Sequence, residues 1–171
     1  MHHQTRFNIV QLTIGIAALA IGVLVYALDR PAGQTYFIPD TLNISTGLHS
    51  AFGALGNHLP TFFHTLSFCL ITAALLNVRT TGALVICTSW LIVDAAFEIG
   101  QHADIAPLLI NRIPEWFSRL PVLENTASYF LHGRFDPLDL LSILLGALTA
   151  FVLILATRRF GPSGDGSADN V

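Results

Sequence analysis

The chain has no lysine and few charged residues of any kind. Of its 171 residues, 53% are hydrophobic and 11% are charged, and all eight basic residues are arginine. A soluble domain usually carries roughly 25% charged residues, so the composition disfavours a soluble protein and favours a membrane protein. With a net charge of −3 and no basic block, the composition does not indicate a nucleic-acid partner.

Cysteine is also scarce. Only Cys69 and Cys87 occur, each within an apolar run, which disfavours a disulfide framework and offers no metal-ligand spacing. We expect both to be small core residues. Glu98 and His102 are four residues apart, but carboxylate-bridged di-iron bundles use Glu-x-x-His in two copies. We therefore predict no metal and no cofactor.

What the chain does have is four long apolar runs. A membrane-spanning helix needs about 20 mainly apolar residues. Such runs lie at about Phe7–Leu28, Pro60–Asn77, Gly82–Gly100 and Pro137–Thr157. We predict an all-α integral membrane bundle of four transmembrane helices, formed by residues 1–157 as one domain, with Pro60 at the first helical position of its span.

The two ends of the chain raise separate questions. Val25-Tyr26-Ala27 resembles a signal-peptide cleavage site, so removal of the first span stays open. Its apolar run is long for a signal peptide, and we predict a retained helix. Residues 158–171 are rich in Gly, Ser and Asp and are predicted to form a disordered cytoplasmic tail.

The connections between the spans are unequal. Only residues 78–81 join the second and third spans, whereas the other two loops are long. Residues 41–59 are expected to form a short re-entrant or interfacial helix. Residues 114–131, where aromatic and charged side chains alternate, are expected to lie flat at the headgroup level. Arginines near span ends favour cytoplasmic termini and outward-facing long loops; these are Arg6, Arg79, Arg158 and Arg159.

Polar residues converge at the outer end of this predicted bundle. Asp94, Glu98 and Gln101 fall within about 60° of each other at 3.6 residues per turn. The second span carries His64 one turn inside its outer end, and the fourth begins with "GRFDPLD". Ser142, Gly146 and Ala150 then form a small-residue face that lets helices approach closely. The predicted ligand-binding pocket comprises His64, Asp94, Glu98, Gln101, Arg134 and Asp139.

Each of these residues also has a structural interpretation. Asp94 and Glu98 could form an internal network with His64 and Arg134, and His64 could be a packing residue. Asp136 before Pro137 suits a helix N-cap, and Asp139 suits the helix dipole in the first turn. The remaining histidines of the long connections, His49, His58 and His132, are interpreted as loop residues.

The same residues resemble the pattern of the VanZ-like family of small multi-pass bacterial membrane proteins. The matching positions are His64, Glu98 and Gln101 of "EIGQ", and Arg134, Asp139 and Gly146 of "GRFDPLDLLSILLGAL". The resemblance covers roughly residues 60–157. It departs from the family at Ile143, where an Asn is frequent. It implies a bacterial plasma-membrane location and a link to teicoplanin resistance, but no settled reaction.

Three hypotheses of function follow. In the first, the outer pocket binds an anionic lipid headgroup or a lipid-linked envelope precursor, with Arg134 and His64 contacting the anion. In the second, the protein is an intramembrane hydrolase or transferase acting on a lipid-linked substrate, with Glu98 or His64 as general base. In the third, the polar cluster only holds the bundle together or supports a protein partner.

Overall fold

A computed structural model describes residues 7–29, 52–120 and 123–158. Over that part the chain is helical and contains no β-strand. The helices are α1 (Ile9–Asp29), α2 (Leu55–Leu76), α3 (Thr80–Gly100), α4 (Ala106–Ile110), α5 (Thr126–His132) and α6 (Pro137–Thr157), with two 3₁₀ turns at Glu115–Arg119 and Leu123–Asn125. Four of them, α1, α2, α3 and α6, are long and apolar enough to cross a membrane. These features are those of a multi-pass membrane protein, as the sequence predicts.

The predicted start of the second span is wrong. α2 begins at Leu55, and Pro60 lies inside the helix rather than at its first position. The additional turn carries Asn57 and His58, polar residues that a search for apolar runs leaves out. Both carboxylate oxygens of Asp29 lie within 3.4 Å of the Phe52 N–H, so the end of α1 supports the chain just before this turn. Pro60 is the sixth residue of α2, beyond the first turn, so it cannot donate the usual intrahelical hydrogen bond to the Gly56 carbonyl.

α1 packs closely against α2 through small residues. A Cβ added at Gly15 would lie 2.8 Å from Ile71 Cγ1, and one at Gly22 would lie 2.9 Å from Phe63 Cβ. Five of the six buried positions of α1 follow the spacing 4-3-4-3, as in a coiled-coil seam; they are Gln11, Gly15, Ala18, Gly22 and Val25, and the sixth is Ala27.

The small-residue face predicted on α6 packs against α2. A Cβ added at Gly146 would lie 2.7 Å from the Phe62 carbonyl oxygen, and Ala150 is fully buried. Both cysteines are buried free thiols in the hydrophobic core, as predicted. The core draws on all four long helices, with α2 supplying Leu66, Cys69, Leu70 and Ala73.

One end of the bundle, here called the terminal end, is held by amide side chains from α1 and the residue before it. Asn8 Nδ2 donates to the Thr157 carbonyl and Gln11 Nε2 donates to the Ile154 carbonyl, both at 3.2 Å. The last carbonyls of a helix lack intrahelical donors, so these amides cap α6 while tying it to α1. Arg158 donates to Thr80 Oγ1 at 2.9 Å at the same end.

The opposite end, here called the polar end, carries the segment between α3 and α6. This cap segment, residues 101–136, contains α4, both 3₁₀ turns and α5. It is anchored by Phe130, whose ring stacks on Phe97 with centroids 5.7 Å apart. Trp116 in the same segment is exposed. Of the helix expected within residues 41–59, the part before residue 52 lies outside the described residues, as does the tail from 159 onward.

Candidate functional site

The stripe on α3 that drew attention in the sequence lies against neighbouring helices at the polar end. Asp94 and Glu98 are buried and Gln101 is half-buried. Their common helical face therefore points into the protein rather than outward, as the helical phase predicts. The two acids nevertheless meet different partners.

Asp94 is bound by α2. Its Oδ2 accepts a hydrogen bond of 2.6 Å from the Thr65 hydroxyl, which is fully buried, and lies 3.4 Å from His64 Nδ1. The Asp94 side chain is 9% exposed, whereas that of His64 is 49% exposed. The carboxylate thus sits behind the imidazole and is connected to it on one side. A partner on one ring nitrogen orients a histidine and leaves the other nitrogen for an external group.

Aromatic rings support the imidazole from the side. The His64 and Phe68 ring centroids are 4.4 Å apart, and those of Phe68 and Trp90 are 4.8 Å apart. Trp90 is itself fixed, because its Nε1–H donates to Thr72 Oγ1 at 3.1 Å. His64 is therefore held between a carboxylate and a row of aromatic rings.

Glu98 is bound by the chain that leads into α6. Its Oε1 accepts from the Asp136 backbone N–H at 2.7 Å, and its Oε2 lies 3.4 Å from Gln101 Nε2. Gln101 Nε2 also donates to the Tyr129 hydroxyl at 2.6 Å. Glu98 thus connects α3 with the start of α6, and Gln101 connects α3 with α5.

The Tyr129 phenol remains protonated at this site. Burial raises its pKa above the ordinary value of 10, and the nearby charges of Glu98, Asp139 and Asp94 and the nearby Tyr26 hydroxyl act in the same direction. A neutral phenol can both accept from Gln101 and donate its own proton. Tyr129 is accordingly a hydrogen-bonding link in this cluster and not a second negative charge.

Asp139, in the first turn of α6, pairs with a histidine that the sequence analysis assigned to a loop. His58 Nδ1 lies 2.9 Å from Asp139 Oδ1, and the two side chains are 19% and 13% exposed. The interpretation of His58 as a loop residue is wrong, because α2 extends one turn further than its apolar run. His132 is likewise helical, as the last residue of α5, and His49 lies outside the described residues.

The structural interpretation of Asp136 is confirmed. Its side chain accepts from the Leu138 N–H at 2.9 Å, and Pro137 occupies the first helical position. Arg134, two residues earlier, is exposed and makes no salt bridge within the part of the chain that the structure describes. An ion pair of Arg134 with Asp94 or Glu98, the alternative left open by the sequence, is therefore not found among the described residues. A Cβ on neighbouring Gly133 would collide with Gln101 Oε1, so a glycine here lets the loop reach α3.

Two other kinds of chemistry find no geometric support at the polar end. Ser67 donates its hydroxyl to the His64 backbone carbonyl at 2.8 Å, so it is not positioned as a nucleophile against the imidazole. Among the described residues, no three His, Cys, Asp or Glu side chains are grouped as metal ligands.

Three residues of this cluster were missed from the sequence alone: His58, Thr65 and Tyr129. Thr65 follows His64 directly and so faces another side of the helix. Its position in the sequence gives no indication that its hydroxyl binds Asp94. Tyr129 was assigned to the interfacial aromatic segment. The polar pair Asn57-His58 ahead of Pro60 was an available signal that α2 begins earlier.

The charge balance of the polar end decides what it can bind. Asp94, Glu98, Asp136 and Asp139 each accept a hydrogen bond or lie beside a histidine. Buried carboxylates need such partners, because removal of a charge from water is costly. The two cationic or potentially cationic side chains of the predicted pocket, Arg134 and His64, are the exposed ones. The side chains that could bind an anion are thus exposed, whereas the carboxylates already have hydrogen-bond or histidine partners within the protein.

Comparison with protein families, with curated proteins and with solved structures finds no match for this chain.

Proposed function

We propose that this chain is a VanZ-like multi-pass protein of the bacterial plasma membrane that binds an anionic lipid headgroup or a lipid-linked envelope precursor at its polar end. In this proposal the termini are cytoplasmic and the polar end faces outward. Arg134 and His64 contact the anion. Glu98, Gln101, Asp94 and Asp139 hold the surrounding helices and loop in position.

The observation that carries the proposal is the position of Arg134. It is an exposed guanidinium without a salt bridge in the described chain. It lies in a short loop that is fixed on one side by the Gly133–Gln101 contact and on the other by the Asp136–Glu98 hydrogen bond. A fixed loop with an unpaired guanidinium suits phosphate, because arginine binds phosphate in a bidentate manner. The VanZ-like resemblance adds the envelope context and the proposed link to teicoplanin resistance.

The test is lipid binding to purified protein in detergent, with phosphatidylglycerol compared with phosphatidylcholine by native mass spectrometry. Arg134→Ala should lower the preference for phosphatidylglycerol about tenfold, since a hydrogen bond to a charged group contributes roughly 1.5–3 kcal/mol. Arg134→Lys should retain part of it. Arg112→Ala, which removes another exposed arginine of the cap segment, is the matched control. An unchanged preference in Arg134→Ala would overturn the proposal.

A second candidate function is an intramembrane hydrolase or transferase acting on a lipid-linked substrate. The His64–Asp94 pair favours it, because a carboxylate behind one imidazole nitrogen is the usual arrangement of a histidine general base. Glu98 is less suited to that role, since hydrogen-bond donors already approach both of its carboxylate oxygens. Turnover of a lipid-linked substrate that is lost in His64→Gln and reduced in Asp94→Asn, with folding preserved, would support this function. Turnover that survives both substitutions would exclude His64 as the base.

A further inference from the structure

A line of side chains runs along α2 from the polar end toward the middle of the bundle. His64, Phe68 and Thr72 are four residues apart and so share one side of the helix. α1 and α6 pack elsewhere around α2: Gly22 of α1 approaches Phe63, and Gly146 of α6 approaches the Phe62 carbonyl. The side that carries His64 is therefore not covered by either helix.

α3 supplies the other wall of this line. Trp90 and Asp94 are also four residues apart. They meet α2 through the Phe68–Trp90 ring contact, the Trp90–Thr72 hydrogen bond and the Asp94–His64 pair. We call the five residues His64, Phe68, Thr72, Trp90 and Asp94 the α2–α3 seam. It has a polar end at His64, and from His64 to Thr72 it extends about 12 Å along α2, at 1.5 Å per residue.

The seam is continuous with the lipid-facing surface of the two spans. Leu75, one turn beyond Thr72 on the same side of α2, is 44% exposed, and Val93, one turn beyond Trp90 on α3, is 42% exposed. In helices long enough to cross a membrane, exposed apolar side chains of this kind meet acyl chains. His64 lies about 6 Å inside Pro60, where the apolar run of α2 begins. That places the imidazole in the outermost part of the apolar run, at the end nearer the headgroups.

The imidazole can bind the polar part of a lipid at that depth. Nδ1 faces Asp94, and Nε2 makes no hydrogen bond to any of the described residues. With one ring proton on Nδ1, Nε2 accepts a hydrogen bond. With two ring protons, Nε2–H donates one. A glycerol phosphodiester headgroup offers both hydroxyl donors and phosphate acceptors. It can therefore form a hydrogen bond with Nε2 in either protonation state of the imidazole. A half-exposed histidine on a lipid-facing side is costly unless something there uses it.

We propose that the ligand of the polar end is an intact anionic glycerophospholipid that reaches the protein sideways from the bilayer. Its headgroup contacts His64, and one acyl chain lies along Phe68 and Trp90 of the seam. This inference rests on the proposed function for the class of headgroup. It adds that the ligand is a membrane lipid rather than a water-soluble phosphate compound, and that this lipid reaches the protein from within the bilayer.

The fluorescence of Trp90 provides a direct measurement of lipid contact with the seam. Besides Trp90 the chain contains only Trp116, so Trp116→Phe leaves the seam residue as the single tryptophan. The protein is reconstituted in phosphatidylcholine vesicles that contain a small fraction of phosphatidylglycerol with brominated acyl chains, which quench tryptophan fluorescence on contact. The same fraction of brominated phosphatidylcholine is the reference, and soluble glycerophosphoglycerol is the competitor.

The proposal expects quenching by brominated phosphatidylglycerol to be severalfold above the reference and not relieved by the soluble competitor. His64→Ala and Phe68→Ala should reduce it to the reference, whereas Leu148→Ala, on an exposed side of α6, should not.

Equal quenching by the two brominated lipids would overturn the proposal, and relief by the competitor would show a water-soluble ligand instead. If Arg134→Ala removes lipid preference while both seam variants retain it, the seam and the contact of His64 with the anion fail, and anion binding through Arg134 stands. If only the seam variants lose it, the role of Arg134 fails and the seam stands.

Discussion

At the scale of single residues, the polar end shows how a membrane helix accommodates two acids. Asp94 and Glu98 are buried one turn apart, yet they are bound by different parts of the chain. Asp94 is bound by a hydroxyl and an imidazole of α2, and Glu98 by a backbone N–H and an amide from the two ends of the cap segment. Burial of an acid without such donors costs several kcal/mol, so removal of a donor or an acceptor here should affect stability measurably.

The bonds to Glu98 predict the effect of a nearly isosteric change. In Glu98→Gln one oxygen can still accept from the Asp136 N–H, but the new NH₂ group then faces the NH₂ group of Gln101. Two opposed donors should lower the free energy of unfolding by about 1–2 kcal/mol, measured by denaturant titration in detergent micelles. Glu115→Gln, an exposed position of the cap segment, is the control and should change stability by less than about 0.5 kcal/mol. Unchanged stability in Glu98→Gln would mean that the carboxyl is protonated, since the amide would then reproduce its donor and acceptor.

Tyr129 predicts a dependence on alkaline pH. Its pKa is raised in the folded protein, chiefly by burial, so above pH 10 the unfolded chain loses the phenolic proton while the folded chain keeps it. The contribution of the Tyr129 phenol to the free energy of unfolding is therefore fully present below about pH 10 and falls as the pH rises toward the folded-state pKa. Tyr129→Phe should be less stable than the parent by about 1 kcal/mol at pH 8, because the bond from Gln101 is lost. That difference should shrink by pH 11.

Thermal unfolding midpoints at pH 8 and pH 11 test this prediction. Gln101→Ala is the matched comparison, because it removes the hydrogen bond but keeps the phenol. It should lower the midpoint at pH 8 and still show the alkaline fall of the parent. A stability difference between Tyr129→Phe and the parent that is the same at both pH values would contradict the prediction.

At the scale of helices, close approach of backbones holds the four spans together. Gly15 and Gly22 bring α1 against α2, and Gly146 brings α6 against the same helix. Such packing suits a bilayer, where helix association depends on van der Waals contact and close approach more than on the hydrophobic effect. α2 also contacts α3, and it carries the histidine partners of Asp94 and Asp139.

Gly146 predicts a loss of stability when it is enlarged. A Cβ there would lie 2.7 Å from the Phe62 carbonyl oxygen, a backbone atom that cannot rotate away, so α6 would have to move. We expect Gly146→Leu to lower stability by about 1–3 kcal/mol or more, the usual range for overpacking. Because the displacement would also separate Asp139 from His58, lipid preference should fall as well. Ala156→Leu, at an exposed position of the same helix, should change neither measurement.

Helix type and number could be predicted from the sequence, but some boundaries and contacts could not. α6 matches its predicted bounds, because Asp136-Pro137 fixes its start by capping and the apolar run ends at Arg158. α2 begins earlier than the predicted span, since hydropathy detects apolar segments and gives no signal for a polar turn at the end of a helix. Asn8 and Gln11 were overlooked because their donors serve the carbonyls of α6, a contact that depends on which helices are neighbours. Gln11 does fall on the 4-3-4-3 face of α1, a signal that was available.

At the scale of the whole molecule, the bundle is an up-and-down arrangement with chemically different ends. The terminal end carries the short α2–α3 connection, the start of α1 and the end of α6, where neutral amides and Arg158 bind carbonyl and hydroxyl groups. The polar end carries the buried acids, two histidines and the cap segment. Arg79 and Arg158 lie at the terminal end directly beside long helices, whereas Arg112 and Arg119 lie further from them within the cap segment and Arg134 lies three residues before α6. The positive-inside rule counts basic residues close to the span ends and so favours a cytoplasmic terminal end.

This asymmetry predicts the orientation in the membrane and a direct way to measure it. In a Cys69→Ala/Cys87→Ala background, which replaces two buried thiols, single cysteines are placed at two exposed positions. Ser118→Cys lies in the cap segment and Thr81→Cys lies at the terminal end. A membrane-impermeant maleimide applied to intact cells should label the first, and the second should react only after the membrane is opened. The reverse pattern would place the cap segment in the cytoplasm. Arg134 and His64 would then meet lipids of the inner leaflet, and an envelope precursor on the outer surface could not be the ligand.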